Sequence, residues 1–330
     1  MGKKILVTGG AGFIGSTVCS ALMDTGHTPI ILDSLINGCR DFTRGRIFYE
    51  GDIKDPQVVG KILKDHPDLY LIIHCAALIV VNESVEKPYE YYLENVSKSL
   101  EFFRMVSKTN IQGIVFSSSA SVYDVVDGFM VSENSALHPR SPYARSKLMM
   151  EMILRDFADA YHLKSLILRY FNPIGADPKM RSGAYVKNPT HILGKLIECS
   201  VDRSKIFEMT GVDWPTRDGT GLRDYIHVWD LANAHVATVE QFEEIFKDPK
   251  KESRSEIINL GTGHGVTVKE LVAAFERVLG APIHKVEAKP RPGDTAGAYA
   301  SCEKAARLLK WKAEKSIEEG IQHALAWMNR

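Results

Sequence analysis

The chain has 330 residues, of which 45% are hydrophobic and 25% are charged. This composition excludes a disordered, collagen-like or disulfide-stapled chain, and the length favours two domains or one large domain with a smaller lobe. The 41 basic residues balance the 41 acidic residues, so no net charge attracts the chain to nucleic acid or to an anionic membrane. We therefore expect neither as a partner.

The cysteines and the N-terminus predict a cytoplasmic protein. The five cysteines are odd in number, widely spaced and without a Cys-x-x-Cys pair, which argues against a disulfide framework and a zinc site. The histidines are scattered, so we expect no other metal site. The opening sequence MGKKILVTGG has no apolar signal-peptide core, and the longest nearly apolar run, 69–81, is too short to span a bilayer.

The first half of the chain alternates short apolar runs with amphipathic segments. The predicted strands are 5–7, 30–32, 47–49, 69–74, 113–116 and 166–168. The predicted helices are 13–24, 56–65, 88–109 and 144–161. Such an alternation predicts a parallel sheet with helices on both faces, which is a Rossmann-like, doubly wound α/β fold.

The alternation breaks after residue 173. The helices predicted beyond it are 190–199, 229–246, 268–279, 302–309 and 317–328. We therefore predict a dinucleotide-binding domain over 1–173 and a smaller C-terminal substrate-binding lobe over 174–330, some segments of which can return to the first domain.

A glycine-rich turn follows the first predicted strand. The sequence ILVTGGAGFIG places Gly9, Gly12 and Gly15 at the start of the first predicted helix. Glycine is needed there because the turn is tight and the backbone must approach a pyrophosphate, which the N-terminus of the helix then binds. Asp33, 18 residues after Gly15, suits the ribose hydroxyls and would repel a 2′-phosphate. The pattern predicts binding of NAD rather than NADP.

A tyrosine and a lysine stand four residues apart at the start of a predicted helix. Tyr143 and Lys147 in SPYARSK therefore share a face of that helix, and Ser119 in FSSSASVY ends the fifth predicted strand. All three belong at the carboxyl edge of the sheet, where ligands bind in such folds. We expect the ammonium, with a positive nicotinamide, to lower the pKa of the tyrosine and make it a base.

Ten motifs extend this pattern over nearly the whole chain. They are VTGGAGFIG, LDSLINGCR, EGDI, HCAAL, FSSSASVY, SPYARSK, RYFNPIGADP, DWPTRDGTGLRDYIHVWDLANAH, INLGTG and RPGD. With these motifs the chain resembles the extended short-chain dehydrogenase/reductase family and, within it, the UDP-glucose 4-epimerases.

The resemblance implies an activity and the roles of the residues that carry it. NAD stays bound, Tyr143 as phenolate takes the proton of the sugar 4-hydroxyl, and the C4 hydride passes to the nicotinamide and returns to the other face of a 4-keto sugar. Ser119 bonds the reacting oxygen, and Lys147 holds the nicotinamide ribose. Further implied contacts to NAD are Phe13, Ile14, Asp33, Asn37, Gly38, Asp52, Ile53, Ala76 and Phe171. Implied contacts to the UDP-sugar are Asn172, Asn188, Phe207, Arg223, Arg291 and Asp294.

Several positions depart from the family's pattern. Ile79 stands where the family has a lysine that contacts the cofactor, Glu94 replaces an asparagine, and Asp124 replaces a glycine. The substrate stretch Asn-Asn-Leu reads Lys-Asn-Pro at 187–189. These changes concern the hold on the cofactor and on the uridine, and they leave the serine, tyrosine and lysine untouched.

Ala298 occupies the position that gates bulk beside the sugar 2-substituent in the family. A small residue there leaves room for an N-acetyl group, and a large one excludes it. We therefore hypothesise that UDP-N-acetylglucosamine is also accepted. A shift of the alignment by one residue would place Tyr299 at the gate and reverse the prediction.

Other functions stay open on the sequence. A nucleotide-sugar 4,6-dehydratase needs an acid/base pair directly after Ser119, where this chain has Ala120 and Ser121. A UDP-glucuronate decarboxylase needs an arginine facing the sugar carboxylate, for which Arg145 and Arg181 are the candidates. A UDP-glucuronate epimerase is a further alternative. A regulator that binds NAD without turnover would normally have lost the tyrosine or the lysine.

The helices predicted at 88–109 and 144–161 are apolar on more than one face. A helix that is apolar nearly all round needs cover on both sides. The family commonly pairs two subunits through these helices, so we expect a homodimer.

Overall fold

The computed structural model of the protein describes residues 2–185, 189–248, 253–290 and 294–330. The strands in these ranges are β1 (Lys4–Thr8), β2 (Thr28–Asp33), β3 (Ile47–Glu50), β4 (Leu69–His74), β5 (Gly113–Ser119), β6 (Met130–Val131), β7 (Lys164–Tyr170), β8 (Asn172–Ile174), β9 (Phe207–Thr210), β10 (Leu222–Arg223), β11 (Tyr225–His227), β12 (Ser255–Leu260), β13 (Val266–Thr267), β14 (Lys285–Ala288) and β15 (Gly297–Ala300). The α-helices in the same ranges are α1 (Phe13–Asp24), α2 (Pro56–Asp65), α3 (Val81–Glu86), α4 (Pro88–Tyr92), α5 (Lys98–Val106), α6 (Pro142–Tyr161), α7 (Ile192–Val201), α8 (Val228–Ile245), α9 (Val268–Leu279), α10 (Glu303–Leu309) and α11 (Ile317–Met328).

The main sheet is parallel and has seven strands in the order β12-β7-β5-β4-β1-β2-β3. This arrangement confirms the predicted α/β fold class. Alternate side chains of β1 enter opposite layers: Ile5 and Val7 pack with α1 and α8, whereas Leu6 packs with α2, α5 and α6. Both layers are apolar, because the inner strands of the sheet are buried on both of their faces.

The sequence prediction missed β12, the strand at the β7 edge of this sheet. β12 pairs in parallel with β7, with Ile257 opposite Ile167. It was missed because it lies beyond residue 173, where the strand–helix alternation had ended. The expected division at residue 173 stays a prediction; β12 and α8 both follow it and belong to the layers of the main sheet.

The predicted helix 88–109 has a more complex form in the structure. α4 and α5 are joined by a π-helical turn over Leu93–Ser97, and α3 precedes them. The predicted helix 144–161 begins two residues earlier, at Pro142, because the Ser141 side chain accepts a hydrogen bond from the Ala144 N–H and caps the helix.

The C-terminal part of the chain adds a second apolar cluster and small sheets. α7, α9 and α11 pack around Leu196, Phe275 and Ile321. A four-stranded sheet has the order β13-β10-β15-β6. None of the helices in the described ranges has the length and apolarity needed to cross a bilayer.

Candidate active site

The glycine-rich turn between β1 and α1 has no room for side chains at two of its glycines. Gly9 has a φ of +70°, and a Cβ there would lie 2.7 Å from the Ala76 nitrogen. A Cβ on Gly15 would lie 2.2 Å from the Gly9 carbonyl oxygen. At the N-terminus of α1, Gly12 provides no side-chain cap, so the first N–H groups of the helix can receive an anion. This cradle fits a pyrophosphate.

Asp33 ends β2 beside this turn. Its carboxylate accepts hydrogen bonds from the Ala11 N–H (2.9 Å) and the Leu35 N–H (2.8 Å). Burial raises the pKa of Asp33, and the two backbone hydrogen bonds lower it. Gly38 lies against it, since a Cβ at Gly38 would come within 2.6 Å of Asp33 Oδ1. Asp33 is thus held at the edge of the turn, while the neighbouring Asn37 is exposed.

The predicted contacts beyond Asp33 line the same edge of the sheet. The Gly51 N–H donates to the Asp33 carbonyl at 3.1 Å, which places Asp52 next to the end of β2. Ile53 is buried in the layer that also packs Ala76, the second residue after β4. The carboxyl ends of β2, β3 and β4 therefore form one continuous crevice with the glycine turn.

Ser119, Tyr143 and Lys147 come together at the end of β5 and the start of α6. The Ser119 side chain lies close enough to that of Tyr143 to lower the pKa of the phenol. Lys147 Nζ donates to the Ser117 carbonyl at 2.8 Å and lies 5.9 Å from the centroid of the Tyr143 ring. A hydroxyl, a phenol and an ammonium are thus within reach of one small ligand, which suits acid–base chemistry at an alcohol.

Two groups of effects within the protein act on the pKa of Tyr143. Burial raises it, and only the Ser119 side chain lowers it. Lys147 does not lower it because its ammonium bonds the Ser117 carbonyl instead of the phenol. Burial lowers the pKa of Lys147 to about 8. The expected lowering of the tyrosine pKa includes the positive nicotinamide beside the phenol and therefore stays a prediction.

A buried ion pair behind these residues was missed by sequence reasoning. Glu151, one helical turn after Lys147, pairs with Arg169 of β7, with Nη2 2.6 Å from Oε2, and both side chains are almost fully buried. The Ser118 hydroxyl donates to Glu151 at 2.5 Å. The pair therefore ties α6 to β5 and β7 directly below Ser119. The i, i+4 spacing from Lys147 to Glu151 is the only local signal for it.

Asn95 connects the start of α6 to the segment after β4. Its side chain bonds the Leu78 N–H (2.7 Å), the Leu78 carbonyl (3.0 Å) and the Ser146 hydroxyl (3.0 Å). Two neighbouring residues that differ from the family's pattern have different surroundings. Ile79 is 66% exposed, and Glu94 pairs with Lys98. Asp124 pairs with Arg140 at 3.3 Å.

Two predicted sugar-nucleotide contacts meet on the small sheet. Arg223 of β10 is the register partner of Ala298 of β15. The Arg223 guanidinium donates to the Leu222 carbonyl at 2.7 Å and to the Thr295 carbonyl at 3.2 Å. Asp224 is buried and accepts hydrogen bonds from the backbone N–H groups of 262, 263 and 300, which fixes β15 against the end of β12.

The remaining predicted substrate contacts are dispersed. Asn172 is exposed at the start of β8, and its N–H donates to the Asp224 carbonyl at 2.9 Å. Phe171 is buried beside Val122. Phe207 lies in the apolar cluster of the C-terminal part, with little of its ring accessible. Asp294 directly precedes the segment that leads into β15. Asn188 and Arg291 lie outside the described residues.

The arginines considered for a decarboxylase have other surroundings. Arg181 pairs with Asp177 (2.5 Å) and Asp24 (2.7 Å) and stacks on the ring of Trp229. Arg145 is exposed on α6. Neither arrangement favours recognition of a sugar carboxylate. Among the described residues, no group of three histidine, cysteine or acidic side chains is placed to hold a metal ion.

Residues 5–261 match the model of the family described as the NAD dependent epimerase/dehydratase family. The chain belongs to this family. It is 38% identical to the UDP-glucose 4-epimerase of Rhizobium meliloti (strain 1021) over 99% of this chain and 98% of that one. These family members confirm the resemblance to UDP-glucose 4-epimerases found in the sequence.

Solved structures of family members agree with the fold. The structure of UDP-glucose 4-epimerase from Bifidobacterium longum in complex with NAD+ and UDP has a TM-score of 0.91 and 35% identity, covering 99% of this chain and 98% of that one. The UDP-Glc/GlcNAc 4-epimerase of Campylobacter jejuni has a TM-score of 0.82 and 33% identity, covering 99% of each chain.

Proposed function

We propose that this protein is a UDP-glucose 4-epimerase, which interconverts UDP-glucose and UDP-galactose with a resident NAD. The observation that carries the proposal is the convergence of Ser119, Tyr143 and Lys147 at the same edge of the sheet as the glycine turn. Family membership and relatives named as UDP-glucose 4-epimerases support it.

The crevice has the groups that hold a dinucleotide. The N-terminus of α1 suits the pyrophosphate, and the Asp33 carboxylate keeps acceptor capacity for ribose hydroxyls. A second anion such as a 2′-phosphate would be repelled by Asp33, so NAD is favoured over NADP. When bound, NAD supplies a nicotinamide ring that can take the hydrogen of sugar C4 with its electron pair and return it.

Tyr143 takes and returns the proton of the sugar 4-hydroxyl at its phenolic oxygen. Ser119 lies beside the phenol and keeps it oriented. Lys147 is anchored by the Ser117 carbonyl, so its remaining N–H groups can reach ribose hydroxyls. The positive ring of bound NAD is the further charge that would favour the phenolate in this buried corner.

Uridine diphosphate and the hexose would bind between this corner and the small sheet. We assign Asn172, Asn188, Arg223, Arg291 and Asp294 to the nucleotide part, since a guanidinium fork matches phosphate oxygens. Phe207 stays a weaker assignment because its ring is almost fully buried.

Ala298 supports acceptance of N-acetylated sugars. It packs with the cluster that contains Phe171, beside the corner formed by Ser119, Tyr143 and Lys147, which we call the catalytic corner. Tyr299 points the other way, since a Cβ on Gly265 would lie 2.9 Å from its ring carbon Cδ1. The alternation of the strand therefore supports Ala298 as the residue beside the sugar 2-substituent. We propose that UDP-N-acetylglucosamine is a second substrate.

We further propose that the protein is a cytoplasmic homodimer. The α4–α5 and α6 helices leave large apolar side chains exposed, among them Tyr89, Met149 and Met152. Pairing of two copies through these helices would cover them. All five cysteines are free thiols, which fits a reducing compartment.

The test is to mix the purified protein with UDP-galactose without added cofactor and to follow the products by NMR. We expect UDP-glucose to form, and NAD to be released when the protein is denatured. A requirement for added cofactor, a 6-deoxy product, or no conversion would contradict the proposal.

A further inference from the structure

A buried lysine joins two carboxylates on different elements of the main domain. The Lys98 ammonium lies 2.6 Å from Asp52 Oδ2 and 2.6 Å from Glu94 Oε1, and only 9% of the lysine side chain is exposed. Asp52 belongs to the loop after β3, Glu94 to the π-helical turn, and Lys98 begins α5. Glu94 is one of the positions at which the sequence departs from the family's expected pattern.

The triad lies at the end of the crevice that is farthest from the catalytic corner. The sheet order β5-β4-β1-β2-β3 places Ser119 near one end and Asp52 at the other, with the glycine turn between them. A dinucleotide whose pyrophosphate sits on the turn and whose ribose meets Asp33 must place its purine base beyond β2. Asp52 is a charged group on that side, next to Asp33 through the Gly51 hydrogen bond.

The contacts of Asp52 determine which chemical group it can recognise. Oδ1 accepts the Lys54 N–H at 3.0 Å, and Oδ2 accepts the Lys98 ammonium. Burial raises the pKa of Asp52, but the Lys54 N–H and the Lys98 ammonium together bring it below its usual range. The carboxylate therefore stays ionised, has only acceptor capacity, and keeps one lone pair on each oxygen. It can bind a 6-amino group, which donates, and it repels a 6-oxo group, which does not.

We propose that Lys98 is a positioning residue that fixes Asp52 as an acceptor for the exocyclic amine of the cofactor's base. Glu94 holds the ammonium from the opposite side with both of its oxygens. Without the ammonium, Asp52 and Glu94 would repel each other and Asp52 would leave this orientation. The triad thus makes the cleft selective for a 6-aminopurine over a 6-oxopurine dinucleotide. This inference rests on the proposed function.

The test is a competition between NAD and nicotinamide hypoxanthine dinucleotide, its 6-oxo analogue. Two samples of purified protein, one loaded with NAD and one with the analogue, are each incubated with both dinucleotides in equal excess. Incubation continues until both samples have the same ratio of bound dinucleotides. Free nucleotide is then removed, and bound nucleotide is released and quantified by chromatography. We expect the wild type to prefer NAD about tenfold or more, as for a hydrogen bond to a buried charged group.

The variants separate positioning from simple stabilisation. Lys98→Met should reduce the preference to less than about threefold, and Lys98→Arg should preserve it because arginine can also bond both carboxylates. Lys61→Met removes a lysine from an exposed pair with Asp65 and should leave the preference unchanged. If Lys98→Met does not fold, Lys98→Gln replaces it with the same expected loss. The proposal would be overturned if the folded variant bound both dinucleotides more weakly by the same factor and kept the wild-type preference for NAD.

Failure of this inference and failure of the proposed function give different results. Wild type that converts UDP-galactose but shows no preference between the two dinucleotides refutes only the role of the triad. Wild type that binds neither dinucleotide refutes both.

Discussion

The corner formed by Ser119, Tyr143 and Lys147 and the small sheet that carries Arg223 and Ala298 are built very differently. Ser119 and Lys147 stand on a seven-residue strand and a twenty-residue helix, and Glu151 of the helix bonds Ser118 of the strand and pairs with Arg169. Arg223 and Ala298 stand on strands of two and four residues. The backbone at Thr262 and that at Ala300 both donate hydrogen bonds to a single side chain, Asp224.

This difference separates chemistry from specificity. The groups that we propose to move the proton are fixed by long elements and buried charges, so small changes there should cost turnover with every substrate. The groups beside the hexose are fixed by few contacts, so one side chain can change the choice of sugar without disturbing the chemistry. The predictions below test this separation, from the largest expected effect to the smallest.

Loss of the Tyr143 hydroxyl should have the largest effect. Tyr143→Phe removes the group that takes the proton, and we expect turnover of UDP-galactose to fall by about 1000-fold, within the range of general acid–base catalysis. Bound NAD should be retained, because the cradle at the glycine turn is untouched. Tyr161→Phe, at the exposed end of the same helix, is the control. Equal turnover by Tyr143→Phe would refute the assignment of the base.

Bulk at the sugar-facing sheet should change only specificity. Ala298→Tyr should lower turnover of UDP-N-acetylglucosamine about 100-fold and leave UDP-galactose turnover nearly unchanged, because the ring fills the space of the acetyl group. Ala298→Gly is the matched control and should keep both. Kinetics on the two sugars measure this. Absence of activity on the acetylated sugar in the wild type would end the hypothesis.

Acid should destabilise both regions through buried neutral histidines. Burial lowers the pKa of His74, below the catalytic corner, and that of His227, in the C-terminal part, to about 3 each. Each histidine then stabilises the fold fully above its unfolded pKa near 6.5, and this contribution is lost as the pH falls toward 3. Each histidine should therefore lower the free energy of unfolding by about 2 kcal/mol when the pH falls from 7 to 5.

Urea unfolding at the two pH values tests this prediction. His74→Gln should have a pH dependence that is shallower by about 2 kcal/mol over the same interval, whatever its stability at pH 7. The exposed His264 offers a control, since His264→Gln should retain the wild-type dependence. A wild-type stability that is equal at pH 7 and pH 5 would contradict the burial of neutral histidines.

A charge on the exposed face of α6 should affect assembly more than chemistry. Met152→Glu should convert the expected dimer to a monomer in sedimentation at micromolar concentration, because the carboxylate would be buried between two copies. Met328→Glu, at a similarly exposed methionine of α11, should not. A wild type that sediments as a monomer would contradict the proposed homodimer.

Sequence reasoning was strongest where a function depends on local spacing. Gly9, Gly12 and Gly15 surround one turn, and Tyr143 and Lys147 share one helical face, so their proximity follows from the chain itself. Glu151 and Arg169 are 18 residues apart and belong to a helix and a strand, so only the fold brings them into contact.

Long-range pairing explains the other differences between expectation and structure. β12 joins the sheet at Ser165 across ninety residues of chain, which no local pattern indicates. The pairing of Arg223 with Ala298 also depends on the fold, and the family resemblance named the two residues only separately. The Lys147 ammonium bonds the Ser117 carbonyl, an orientation that a helical spacing does not determine.

The most direct test of the account follows a deuterium atom at C4 of UDP-galactose. If the corner of Ser119, Tyr143 and Lys147 works with a dinucleotide that stays bound, UDP-glucose formed without added cofactor should keep the deuterium at C4. Mass spectrometry and NMR of the product measure this. Loss of the deuterium to solvent during conversion would contradict the account.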